Sequence, residues 1–146
     1  MQHSCGHSCG VVDCCQDFVP PPRCIGCRIE SQGGRFRAAV VQAVGVELGF
    51  APLVGLLNRK VLAELIRYRL LREASEEMAR YAALYGSPDR GLDNAYAYLK
   101  AIDRTDWWIG AGERDRVNEN GAAMLWAAAN TIAQKGSSAG AGGRRR

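Results

Sequence analysis

Histidine and cysteine are missing from almost all of this chain. Both histidines and all six cysteines lie within the first 27 residues, and residues 28–146 contain neither. A Ser-His-Asp or Cys-His nucleophile therefore cannot be assembled within the body of the protein, nor can the Glu-x-x-His pairs of di-iron bundles. A glycine-rich phosphate loop of the Walker type is also lacking. Strong net charge is absent too. Arg144, Arg145 and Arg146 supply three of the four net positive charges, leaving sixteen basic residues against fifteen acidic ones elsewhere. A broadly basic domain is the footprint of duplex binding, and this body is nearly neutral. No basic and apolar leader opens the chain. The expected compartment is a reducing cytosol, where clustered cysteines serve metal or redox chemistry rather than disulfides.

What is present divides into three parts. Residues 1–34 hold the Cys/His cluster, the run Pro20-Pro21-Pro22 and a closing Gly33-Gly34. Their few large hydrophobes cannot build a core, so the segment needs a staple to fold. Residues 35–135 read as an all-α domain, and residues 136–146 as a flexible Gly/Ser linker with a basic tip.

Within the helical part, one helix is expected over residues 36–49. A second begins with Pro52 in its first turn and runs to Tyr85, where Gly86 and then Pro88 form a stop signal. Ser87 is placed to cap a third helix that starts at Pro88, with Leu92, Ala95, Tyr96, Leu99 and Ile102 on one face. Gly110-Ala111-Gly112 reads as a loop. It precedes a fourth helix that carries Val117, Met124, Leu125, Ala128 and Ile132 as its stripe and is closed by Gly136. Four helices with short connections predict a bundle. The fold class is thus mainly α, a small zinc-stabilised module followed by about four helices.

The apolar run "AAVVQAVGVELGFAPLVGLL" over 38–57 is long enough to span a bilayer. Glu47 near its centre, with Gln42 and Pro52, argues for a buried helix and turn instead. No membrane partner is expected.

The chemistry is concentrated at the start. Cys24-Ile25-Gly26-Cys27 is a CxxC knuckle, in which a tight turn aims both sulfurs at one point. Cys5-Gly6-His7 lies upstream across a 16-residue loop. The two pairs make three thiolates and one imidazole, a tetrahedral set suited to Zn2+. Cys9, Cys14 and Cys15, with His3, are further soft donors that could serve a second ion. Thiolates also suit iron–sulfur clusters, and a CxxC pair can do dithiol chemistry when it sits at a helix N-terminus in a βαβ setting, a setting not visible here. The arrangement "CGHSC…CIGCR" over residues 3–28 resembles the second half of RING-type fingers and small zinc ribbons. The opening CxxC pair of a RING is missing and one residue separates His7 from Cys9, so the resemblance implies a single-zinc ribbon or knuckle, a closed site that shapes a loop and does no chemistry itself.

Elsewhere the sequence offers interaction residues. The second helix runs basic first and acidic last, against its macrodipole. Pairs Arg69–Glu73, Arg72–Glu76 and Glu76–Arg80 would offset this. Its leucines surround the helix, so it is central to the bundle or meets another chain, with Arg67 on a candidate partner face. Adjacent Trp107 and Trp108 point about 100° apart on a helix, so one is expected in the core and the other at an interface. The carboxylate pairs Glu73 with Glu76 or Glu77, and Asp103 with Asp106, read as solvated faces rather than acid/base dyads. The functional expectation is a non-enzymatic zinc-binding adaptor or regulator. Its partner would be a protein or a second copy, with nucleic acid reached through Arg144–Arg146. The alternatives are an assembly component of a larger particle and a cysteine-based enzyme.

Overall fold

A computed structural model describes residues 25–115 and 120–143. Among these residues it contains six α-helices and no strand: α1 (Ile25–Ser31), α2 (Gly34–Glu47), α3 (Leu57–Tyr85), α4 (Arg90–Lys100), α5 (Thr105–Asp115) and α6 (Gly121–Gly143). The chain is mainly helical, as its periodicity predicts. It folds as two units that interleave along the sequence. The first comprises Met1–Tyr68 and Asp103–Gly112, the second Arg69–Ile102 and Glu113–Arg146. Gly33 lies in the turn between α1 and α2, and Gly34 opens α2.

In the first unit α1 packs against α2. α1 buries Ile25, Arg28 and Ile29, and α2 buries a stripe of mostly small residues, Gly34, Ala38, Val41 and Gly45. Phe50 and Leu53 from the connection after α2 join Leu62, Leu65 and Ile66 of α3 and Trp108 and Ile109 of α5 among the buried apolar residues. A backbone clasp closes the unit. Val54 N–H donates to the Asp103 carbonyl at 2.9 Å, and both the N–H and the hydroxyl of Thr105 donate to the Val54 carbonyl, at 3.4 and 2.6 Å. This clasp explains why α3 starts at Leu57 rather than in the turn of Pro52. Val54 is held against residues 103–105, and Gly55 then takes φ +152°, where an added Cβ would lie 2.8 Å from Thr105 Oγ1.

In the second unit α4 packs along α6, and Leu70, Leu71 and Ala74 of α3, Leu92, Ala95 and Leu99 of α4 and Leu125 of α6 are buried. Gly86 adopts φ +78° directly after α3, as the stop signal predicts. The start of α4 differs from expectation. Asp89 rather than Ser87 is the N-cap, its Oδ1 accepting from Leu92 N–H at 2.9 Å, so Pro88 precedes the helix. A carboxylate cap also carries the charge sign favoured at a helix start.

Two glycine signals that read as breaks lie inside helices. Gly110-Ala111-Gly112 lies inside α5. Gly112 permits close packing, since an added Cβ would stand 2.8 Å from Ile66 Cδ1. Gly136 lies inside α6. A glycine costs a helix about 1 kcal/mol relative to alanine, and with no proline following it did not end this one.

Candidate functional site

The expected metal centre falls almost wholly outside the described residues. Cys5, His7, Cys9, Cys14, Cys15 and Cys24 lie there, as do His3 and Arg144, Arg145 and Arg146. The one ligand candidate described is Cys27, half-buried in the first turn of α1. Ile25-Gly26-Cys27 is helical rather than a tight turn. The next two residues of the helix, Arg28 and Ile29, are buried at 3% and 1% exposure. Among the described residues no three His, Cys, Asp or Glu side chains come together in a way that could hold a metal ion.

Four of the five candidate carboxylates of the body, Glu73, Glu76, Glu77 and Asp106, face a cation instead of another acid. Glu73 lies 3.5 Å from Arg69 and Glu76 lies 3.8 Å from Arg72, as the spacing predicts. Arg80, however, binds Glu77 three residues before it, rather than Glu76. Glu77 also accepts from the Trp126 indole N–H at 3.2 Å. The Arg80 hydrogen bond, and after it that of Trp126, holds the Glu77 carboxyl below its usual 4.5, while Glu77 in turn raises the Arg80 guanidinium. Tyr81 sits edge-on to Trp126 at 5.7 Å and 4.5 Å from Tyr85. Tyr85 is 68% exposed, so this end of α3 displays an aromatic cluster.

Asp106 receives both Nε and an Nη of Arg59, at 3.1 and 2.5 Å. Local spacing signals neither this pair nor the Glu77–Trp126 bond, since 47 and 49 positions separate the partners. These ion pairs provide structure and contain no acid/base dyad.

Arg67, expected on a partner face, is 2% exposed. One Nη donates to Glu64 Oε2 at 2.9 Å and the other to the Ala51 carbonyl at 2.5 Å. Arg59 and Arg67 do not extend to solvent; their charges are neutralised inside the first unit. The i, i+3 spacing of Glu64 and Arg67 was the legible signal for this. Of the two tryptophans, Trp108 is fully buried and Trp107 half-buried against it, the rings 4.8 Å apart and edge-to-face. One core ring and one partly open ring match the geometric expectation.

The exposed apolar residues of the first unit are more informative. Phe36 is 85% exposed, Leu57 70% and Val46 75%. A groove lies between α2 and the start of α3, lined by Arg35, Ala38, Ala39, Leu57, Lys60 and Val61. Among the described residues no helix is long and apolar enough to cross a membrane. Pro52 and the clasp at Val54 break the 38–57 run into α2, an extended connection and α3.

No protein-family model matches this chain, and no curated protein or solved structure matches it either.

Proposed function

We propose that the chain is a zinc-binding adaptor that does no catalysis itself. The observation that carries this reading is the confinement of every soft ligand to residues 3–27, with Cys5, His7, Cys24 and Cys27 at spacings that supply three thiolates and one imidazole. A Zn2+ ion bound there would fold a segment that lacks a core of its own. The thiolates call for a reducing compartment. The body contributes no histidine and no paired carboxylates, while its exposed Phe36, Val46 and Leu57 offer surface to a protein partner. The cationic tip Arg144–Arg146 gives a secondary route to phosphates.

Elemental analysis of the purified protein tests this. One zinc per chain is expected, lost in Cys24→Ser. Metal-free wild type, purified without chelator, would overturn it.

A second reading, a subunit of a larger assembly, draws on the same exposed apolar residues. Light scattering after size exclusion distinguishes it: an assembly subunit self-associates as concentration rises, and a strict monomer does not.

A further inference from the structure

Helix α2 is apolar around most of its circumference. One side buries Gly34, Ala38, Val41 and Gly45. Phe36, Ala39, Val40, Ala43 and Val46 are all exposed, Phe36 at 85% and Val46 at 75%. They recur at three- and four-residue intervals, so they form one stripe, whose centre lies opposite that of the buried one. A surface helix turns its polar side to water, whereas this one turns an apolar stripe outward. The charges at its two ends have opposite sign. Arg35 and Arg37 flank Phe36, and Glu47 stands on the Phe36 face about three turns further on. Arg35 hydrogen-bonds the neutral Asn58 amide at 2.8 Å, and among the described residues neither Arg37 nor Glu47 enters an ion pair. Both ends also oppose the macrodipole, with cations and no acid in the first turn and an acid and no base in the last.

We propose that this stripe is the contact face of a homodimer, in which α2 of two chains pack antiparallel about a twofold axis. Charge complementarity selects the second copy as the occupant. Antiparallel pairing sets Glu47 of each chain beside Phe36 of the other, within reach of Arg35 and Arg37, and the symmetry repeats the contact at the far end. Each helix start then receives an anion and each helix end a pair of cations, the order its macrodipole favours. A parallel pair would instead bring like charges together at both ends. In the middle of the same register Val40 of each chain meets Ala43 of the other, a larger side chain against a smaller one. Such an interface is isologous and closes at two chains. The stripe follows a helix of 14 residues, about 21 Å long, so the contact is small and its dissociation constant lies at roughly 1–100 μM. The inference rests on the partner-binding part of the adaptor reading, for which it names the partner, and it is independent of zinc.

Sedimentation velocity of the full chain tests this. Wild type should pass from monomer to dimer as concentration rises and level off at two chains. Glu47→Lys, and separately Arg35→Glu with Arg37→Glu, place like charges at both ends of the pair. Each should raise the dissociation constant about tenfold or more with far-UV circular dichroism unchanged, since all three side chains are exposed. An equimolar mixture of the two variants should dimerise at wild-type strength, because opposite charges meet again at both ends, and a misfolded variant could not regain the contact in this way. Wild type that stays monomeric at about 1 mM, a dimer indifferent to both variants, or a mixture that fails to recover would each refute the pairing. A mass that climbs past two chains refutes it in favour of an open assembly. The readout is mass alone, so a metal-free dimer sinks only the zinc reading and a zinc-loaded monomer only this one.

Discussion

The guanidinium carbon of Arg67 lies 5.2 Å from the centroid of the Phe50 ring, inside the first unit. A cation over an aromatic face is stabilised by the ring quadrupole, more so when desolvated, and the same guanidinium binds Glu64 and the Ala51 carbonyl. Its Nε has no hydrogen-bond partner among the described residues. The buried charge therefore depends on Glu64.

Removal of Glu64 should accordingly be severe. Glu64→Ala leaves an uncompensated buried cation and is expected to cost about 3–5 kcal/mol. Asp106→Ala provides the contrast. The Asp106 side chain is 63% exposed although Arg59 is buried, so water that enters at the Asp106 position solvates the guanidinium in part, and a smaller loss of about 1–3 kcal/mol is expected. Urea unfolding midpoints of the two variants measure the difference; equal losses would contradict the burial argument.

Gly121 opens α6 hard against α3 in the second unit. A Cβ added there would stand 2.1 Å from the Leu70 carbonyl oxygen and 2.9 Å from Ala74 N, backbone atoms that cannot swing aside. Gly121→Ala should cost about 3 kcal/mol or more. Gly112→Ala meets only the side chain of Ile66 and should cost less. Thermal unfolding of both ranks them.

Glu77 makes the acid side of the stability profile sensitive to Trp126. Its carboxyl titrates below 4.5 because Arg80, and then Trp126, bond the charged form. A depressed folded value contributes stability that is present above the unfolded value and lost as pH falls through the folded one. Trp126→Phe should move the Glu77 titration up toward 4.5, and Arg80→Ala should move it further. Carboxyl-detected NMR titration reads both.

Tyr96 sets a limit at the alkaline end. Burial pushes its phenol above the ordinary 10.0. The protonated ring is favoured in the folded state, so this contribution is fully present below 10 and lost as pH rises through the folded value. Among five tyrosines, phenolate absorbance should show a late-titrating ring that disappears in Tyr96→Phe.

The legible features of the sequence were those decided by neighbours a few residues apart. The α3 stop at Gly86, the Arg69–Glu73 and Arg72–Glu76 pairs and the stripe of Leu92, Ala95 and Leu99 follow from local spacing. Features decided by distant chain were not legible. Pro52 suits a helix start, and only the pairing of Val54 with residues 103–105 prevents it. Gly112 looks like a loop until Ile66 is placed beside it. Leucines all round a helix fixed neither which cation is buried nor which groove stays open. The ligand spacing near the N-terminus was the clearest chemical signal, and of its residues only Cys27 lies among those described.

The clasp between Val54 and Thr105 has a consequence for how this protein is made. It joins positions 51 residues apart, and the stretch Arg69–Ile102 between them belongs wholly to the other unit. Loop closure over that span carries an entropic cost that grows with the logarithm of length. During synthesis, which proceeds from the N-terminus, the first half of the chain must wait for Trp108 and Ile109 before its core is filled. A chain that ends at Ile102 therefore lacks Trp108 and Ile109 from the first unit's core and α6 from the second, so neither unit is complete until the last helix is made.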